Sequence, residues 1–326
     1  MRINLEFIAN EIEAALAANK LIALPTETVY GLAAPIDRED LVAKIFTLKE
    51  RPLFDPLIVH VLGEEQAREL CLSWPEHASK LAAAFWPGPL TIVVPRHPSK
   101  VSDLITSGLD TVGIRSPAHP VARAILSAVN VPLVAPSANK FTKTSPTTIE
   151  HVKSHFHSDD VLFIEGGSSE IGLESTIVEV KDDEILILRR GIITSAQIAG
   201  VLGPKVRISF GKSAVESAHE IKAPGMHYIH YRPDWPVVVG TKPLASASEQ
   251  ELEKFSNLRF EERFLGGDPL KAARILYSVL QSPLAPGSNG LYLNISGLDF
   301  ADERNLAIWD RLKKAASLFV SPPVIL

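Results

Sequence analysis

Leu21-Ile22-Ala23-Leu24-Pro25-Thr26-Glu27-Thr28-Val29-Tyr30-Gly31 sets the reading of this chain. Four apolar residues suit a short buried strand that runs straight into a loop with two threonines, a carboxylate and a tyrosine. α/β proteins often hold ligands at such strand ends. A turn whose hydroxyls satisfy the local backbone accounts for the same residues equally well. Upstream, residues 4–19 place Leu5, Ile8, Ile12, Ala15 and Leu16 on one helical face. Downstream, the pattern predicts helices over 39–48, 64–71 and 76–85, and strands over 57–61, 90–94, 111–115, 133–135, 161–164, 175–180 and 185–188. Ser145-Pro146-Thr147-Thr148-Ile149-Glu150 reads as a helix start with a hydroxyl cap and proline in the first turn. The irregular alternation predicts a mixed α/β sheet with flanking helices, not a uniform parallel one.

From Phe210 to Trp235 the pattern lapses. Ala223-Pro224-Gly225-Met226-His227-Tyr228-Ile229-His230-Tyr231-Arg232-Pro233 has the breakers of a linker, yet it is too aromatic for a mere spacer. A strand over 236–240, a helix over 269–281, a strand over 291–295 and a helix over 301–317 then predict a small, open, Rossmann-like α/β domain. The expected division is a domain over 1–209, a linker over 210–235 and a second domain over 236–326. No GxGxxG, no GxxxxGK[ST] and no internal repeat occurs.

With 326 residues, 46% hydrophobic and 22% charged, the chain has ample material for such a pair of cores. Net charge is −5, and the acidic excess lies in residues 1–209, which hold 20 basic and 25 acidic residues. Broad electrostatic attraction to nucleic acid would lean the other way, so RNA as the main ligand is disfavoured. Cys71 is the only cysteine, which excludes an intramolecular disulfide and a cysteine zinc site, and its surroundings predict a buried thiol. The N-terminus lacks a signal-peptide layout, and no apolar stretch approaches the roughly 20 residues of a membrane span. A soluble cytoplasmic protein is expected.

Two stretches 88 residues apart suggest chemistry. Lys49-Glu50-Arg51-Pro52 sets two cations two apart, which an extended backbone would aim to one side. Ser137-Ala138-Asn139 sets a hydroxyl and a carboxamide at the same spacing, in a loop that ends an apolar run. Two cations facing two neutral hydrogen-bonding groups suit a polyanion such as a nucleoside triphosphate. The cations could equally complement a helix dipole at a solvated helix end. His60 fits a satisfied core imidazole or a ligand contact. Trp86-Pro87-Gly88-Pro89 reads as an architectural turn. Arg115 ends an apolar strand and needs a partner, which a bound carboxylate would provide. Glu165-Gly166-Gly167 and Leu173-Glu174-Ser175-Thr176 could offer backbone donors to an anion.

In order along the chain, Leu24–Leu32, Lys49–Pro52, Pro56–His60, Phe85–Thr91, Ala135–Asn139, Ser145–Thr147 and Glu174–Val178 together resemble the YrdC family of threonylcarbamoyl-AMP synthases. Ala223-Pro224-Gly225-Met226 with His230-Tyr231 resembles the linker of the family's long, two-domain form. Glycine often stands in that family where this chain has Glu50, whose side chain is expected to point away from the site.

The resemblance implies a YrdC-like twisted sheet and a reaction of L-threonine, bicarbonate and ATP to threonylcarbamoyl-adenylate and pyrophosphate. The product would serve tRNA modification at the adenosine beside the anticodon, through a downstream transferase and with a possible tRNA contact. It implies Lys49, Arg51, Ser137 and Asn139 as the catalytic set. Thr28, His60, Arg115, Ala135 and Ser175 would hold threonine. Lys49, Arg51, Asp55, Thr111, Ser137, Asn139, Ser145 and Arg189 would hold ATP. Mg2+ is expected with the triphosphate and with few direct protein ligands. Met226, His230 and Tyr231 are expected to fold over the site. Two rivals are an RNA-binding protein, disfavoured by charge, and a carbamoyl-phosphate-using relative, disfavoured by the lack of zinc-finger spacing.

Overall fold

The computed structural model describes residues 5–211, 224 and 230–323, with side chains from Ile8 onward. In chain order the elements are α1 (Leu5–Ala17), β1 (Leu21–Leu24), β2 (Gly31–Pro35), α2 (Glu39–Lys49), β3 (Ile58–His60), α3 (Glu64–Glu69), α4 (Glu76–Phe85), β4 (Leu90–Pro95), α5 (Asp103–Thr106) and β5 (Thr111–Arg115). They continue with α6 (Pro120–Val129), β6 (Leu133–Val134), α7 (Ile149–Lys153), β7 (Val161–Phe163), β8 (Thr176–Val180), β9 (Glu184–Arg189), α8 (Ser195–Leu202) and β10 (Arg207–Phe210). The second unit holds β11 (Val237–Gly240), α9 (Glu249–Leu252), β12 (Phe260–Phe264), α10 (Pro269–Gln281), β13 (Gly290–Asn294), α11 (Glu303–Ala315) and β14 (Leu318–Val320).

The first ten strands form one mixed sheet in the order β10-β9-β8-β4-β5-β3-β6-β2-β1-β7. Side chains alternate between its two faces. Leu21, Ala23, Leu32, Ala34, Val59, Ile92, Ile114 and Val134 pack on one face with residues of α2 and α4. On the other face, Ile22, Leu24, Ala33 and Leu133 pack with residues of α1 and α6. That helical cover stops short of β3, β5, β4 and β8, where Ile58, Val93 and Ile177 form only a small cluster. The uncovered stretch of sheet is the floor on which a site can sit.

The second sheet runs β12-β13-β11-β14 with every pairing parallel. Val237, Val239, Leu291 and Leu293 face α10 and α11, while Val238, Tyr292 and Val320 face the opposite side. Asp268 caps α10, accepting from the Leu270 and Lys271 amides ahead of Pro269, and Asp302 caps α11. This is the small open α/β unit that the pattern predicts.

Several elements depart from expectation. β2 is Gly-Leu-Ala-Ala-Pro, too poor in β-branched residues to read as a strand. The strands β10 and β12 lie at sheet edges and carry charged, half-exposed side chains. Ser145 is not a helix cap. The carbonyls of Pro146 and Thr147 accept from the Tyr30 and Ser169 amides, so the chain stays non-helical until Thr148 caps α7. Lys49 and Arg51 do not lie on an extended backbone either. Lys49 ends α2, and Glu50 closes the helix in the left-handed region with φ 55°.

Candidate active site

His60 ends β3, Arg115 ends β5, and the two are register partners in parallel strands. Their side chains therefore emerge on the same face. The Ala135–Asn139 loop leaves β6 beside them. It is held by the Leu32 amide on the Pro136 carbonyl and the Ala138 amide on the Tyr30 carbonyl. Ser175 begins the approach to β8 and Arg189 ends β9, so all these residues reach one cavity. Its lining includes Thr26, Thr28, Arg51, Ile58, His60, Arg115, Ala135, Ser137, Glu174, Ser175 and Arg189. Pro224, His230 and Tyr231 close it from the linker side, and Met226 lies outside the described residues. The free space within it is about 50 Å³. That is room for a few waters and far short of a nucleotide.

The predicted tetrad divides. Arg51 and Ser137 line the cavity. Lys49 and Asn139, each 1% exposed, lie behind it. The Lys49 ammonium donates to the carbonyls of Ser137 at 2.5 Å and Asn139 at 2.6 Å. The Asn139 amide donates to the carbonyls of Lys140 and Lys143, both at 2.8 Å. In this conformation both residues shape the loop that carries Ser137. Burial, and next the Arg51 charge, push Lys49 well below its ordinary value. Arg51 lies 2.9 Å from the Asp55 carboxylate and donates to the Pro56 carbonyl. Glu50 is exposed and pairs with Lys140, away from the cavity.

Arg115 already has partners within the chain. Its guanidinium meets the Glu27 carboxylate at 2.6 Å, the Thr28 hydroxyl at 2.8 Å and the Gly88 carbonyl at 3.2 Å. The expected need for a bound carboxylate is thus met by Glu27, a residue read from sequence only as part of a polar loop. Among the described residues three of the five N–H groups of Arg115 are used, and two are left. Burial alone would raise Glu27, but the Arg115 charge and hydrogen bond hold it below the usual carboxylate value. Gly88 owes its place to crowding, since a Cβ there would fall 2.3 Å from the Phe85 carbonyl oxygen.

His60 is pushed down to about 3, by burial first and then by Arg115. It is therefore neutral. Its Nδ1 donates to the Ile58 carbonyl at 3.3 Å, which leaves the Nε2 lone pair as an acceptor. Arg189 donates to the Ser175 carbonyl, the Ser175 hydroxyl and the Pro224 carbonyl. Ser145 and Thr111 stand apart from the lining. Ser145 donates to Glu174 at 2.7 Å, and Thr111 lines a smaller neighbouring pocket that shares Pro224. Burial works to raise Glu174, yet Arg311 and Arg189 pull it down to about 2. Sequence reasoning missed Arg311. It falls on the apolar stripe of α11 with Ala307, Ile308, Leu312 and Ala315, and a cation there is a readable anomaly.

The described helices include none long and apolar enough to cross a membrane. A family model covering Sua5, YciO and YrdC, described as "Telomere recombination", matches residues 14–191. A second, described as "Threonylcarbamoyl-AMP synthase, C-terminal domain", matches residues 193–317. A threonylcarbamoyl-AMP synthase of Bacillus subtilis is 42% identical over 69% of this chain, and the match spans 64% of that relative's length, just under two thirds. One of Pyrococcus abyssi is 41% identical over 76% of this chain and 72% of its own. The crystal structure of P. abyssi Sua5 complexed with L-threonine superposes with TM-score 0.85 at 34% identity, covering 98% of each chain.

Proposed function

The chain belongs to the Sua5/YrdC family, and from that premise we propose that it is a threonylcarbamoyl-AMP synthase, making threonylcarbamoyl-adenylate and pyrophosphate from L-threonine, bicarbonate and ATP. One observation carries this reading: three guanidiniums, those of Arg51, Arg115 and Arg189, line a single cavity together with a neutral imidazole. That is an arrangement for holding an amino-acid carboxylate beside a triphosphate.

In this reading the two N–H groups left on Arg115 take the threonine carboxylate, and Thr28, Ser175 and the Ala135 backbone fix the rest of the amino acid. His60 accepts a hydrogen bond at Nε2. With a value near 3 it is too weak a base to take the ammonium proton, so its role is orientation. The amine, having given its ammonium proton to solvent, attacks carbon dioxide with release of a second proton to solvent, or bicarbonate with loss of water. An oxygen of the resulting carbamate then attacks the α-phosphorus as pyrophosphate leaves. Arg51 and Arg189 neutralise charge that develops on the phosphates, and the Ser137 hydroxyl donates a hydrogen bond to them. Lys49 and Asn139 hold the Ser137 loop until the nucleotide arrives, and the added negative charge favours the protonated ammonium of Lys49. Asp55 orients Arg51, and Ser145 and Thr111 border the nucleotide from the rim.

The carboxylates of Glu27, Asp55 and Glu174 each lie within 3.0 Å of an arginine. They are thereby committed, which leaves Mg2+ to be held chiefly by phosphate oxygens and water. The cavity is too small for its substrates as it stands, so Pro224, His230 and Tyr231, which close it, have to withdraw for entry and return to shield the adenylate. A cytoplasmic location and a downstream tRNA-modifying transferase complete the proposal.

Incubation with ATP, Mg2+ and 13C-bicarbonate, with and without L-threonine, tests it. Mass spectrometry should find a labelled threonyl-carbamoyl-adenylate and equal pyrophosphate only when threonine is present. Pyrophosphate without labelled adenylate would reject the assignment.

A further inference from the structure

Arg311, from the second domain, is 2% exposed and among the largest fully buried side chains. It reaches across to the first domain at two points. Its Nε donates to the Glu174 carboxylate at 3.0 Å, and one terminal nitrogen donates to the Arg190 carbonyl at 2.6 Å. Glu174 and Arg190 are the chain neighbours of Ser175 and Arg189, the two cavity residues that hydrogen-bond to each other. Tyr277 of α10 donates to the same carboxylate at 2.8 Å and stacks on Tyr231, whose ring closes the cavity, at 5.5 Å between centroids. Ser145 completes the set at 2.7 Å from Glu174.

We infer that Arg311 and Tyr277 are positioning residues for the synthase reaction: the second domain clamps the ends of β8 and β9 through Glu174 and the Arg190 carbonyl, and so holds Ser175, Arg189 and Tyr231 in register with the rest of the cavity. The inference rests on the function proposed above. A domain tethered for another purpose would not need to bury a cation and a phenol against one carboxylate at the cavity wall. The second domain is then part of the active site without touching the reacting atoms.

Steady-state kinetics of the full chain tests this with three variants, each checked for an unchanged thermal midpoint or measured below it. Arg311→Lys keeps a charge but loses the second anchor. It is expected to lower kcat/KM for ATP by 10-fold or more, chiefly through KM. Tyr277→Phe keeps the ring and its stacking and should lose about 3- to 10-fold. The pair Glu174→Gln with Arg311→Met replaces two buried charges with neutral groups of similar volume, which favours a folded protein. A merely structural ion pair would let that double variant recover full activity; a positioning pair leaves kcat/KM at least 10-fold down in a folded protein. Wild-type kinetics in folded Arg311→Lys, or full recovery in the double variant, would overturn the inference. Absence of threonine-dependent turnover in the wild type would instead reject the proposed function.

Discussion

The ten-stranded domain buries Thr26, Glu27, Thr28, Lys49, Arg51, Asp55, His60 and Arg115, whereas the buried polar residues described in the four-stranded domain are Asn294, Asn305 and Arg311. Both domains are α/β and both close an apolar core. The difference is where polarity is hidden. In the first domain the buried charges crowd one uncovered stretch of sheet, Arg51 and Arg115 paired with carboxylates and Lys49 held by carbonyls, at a cost in desolvation that an apolar core would avoid. In the second, Asn294 bonds Glu262 of the neighbouring strand β12, Asn305 serves a local loop, and the buried cation described there points out of the domain towards Glu174. Buried polarity therefore marks the site in one region and the attachment to that site in the other.

The sharpest way to break this contrast is to unpair a charge in the first domain. Glu27→Gln leaves the Arg115 cation buried without its carboxylate, and a loss of about 3–5 kcal/mol in urea unfolding is expected. In the second domain the same order of loss should come from volume instead. Leu293→Ala is expected to cost about 2–5 kcal/mol while turnover per folded molecule stays unchanged. If Glu27→Gln proved neutral, the charges would not be as desolvated as their burial indicates.

Acid offers a milder probe. His60 titrates near 3 in the folded chain because burial and Arg115 disfavour its charge. The unfolded chain takes up that proton near pH 6.5. Between these values the unfolded state binds more protons, so stability is full above pH 6.5 and falls as pH drops through that window. Urea midpoints should show a loss of about 2 kcal/mol from this site between pH 6.5 and 5, and His60→Asn should flatten the slope. Glu174, held down to about 2, adds a separate loss beginning below its ordinary value of 4.5 and complete near 2. An unchanged slope in His60→Asn would mean that His60 is charged in the folded protein.

The smallest effect is expected at Glu50. Its left-handed φ of 55° favours glycine, while glycine costs chain entropy and removes only an exposed pair with Lys140. Glu50→Gly should leave the urea midpoint and turnover unchanged. A loss of activity there would mean that the exposed pair reaches the cavity chemistry.

The sequence made the principal apolar strands and α10 legible, because their periodicity and breakers are local. It hid β2, whose small residues become a strand only between β1 and β6, and the charged edge strands β10 and β12. At the site, motif residues such as Arg51, Ser137, His60, Arg115 and Arg189 converge on one cavity. That Lys49 and Asn139 stand behind it follows from the left-handed turn at Glu50 and from the carbonyls of the 137–139 loop, which no spacing rule exposes. Glu27 and Glu174 acquire their partners 88 and 137 residues away. Such pairings belong to the tertiary fold.

The most direct test is the rate of pyrophosphate release from ATP and bicarbonate, with and without L-threonine, in wild type and Arg51→Met. The expected result is release that requires threonine and falls by roughly 100-fold or more in a folded Arg51→Met protein. Release indifferent to threonine, or undiminished by loss of Arg51, would contradict the assignment of this cavity as the place where threonine and ATP meet.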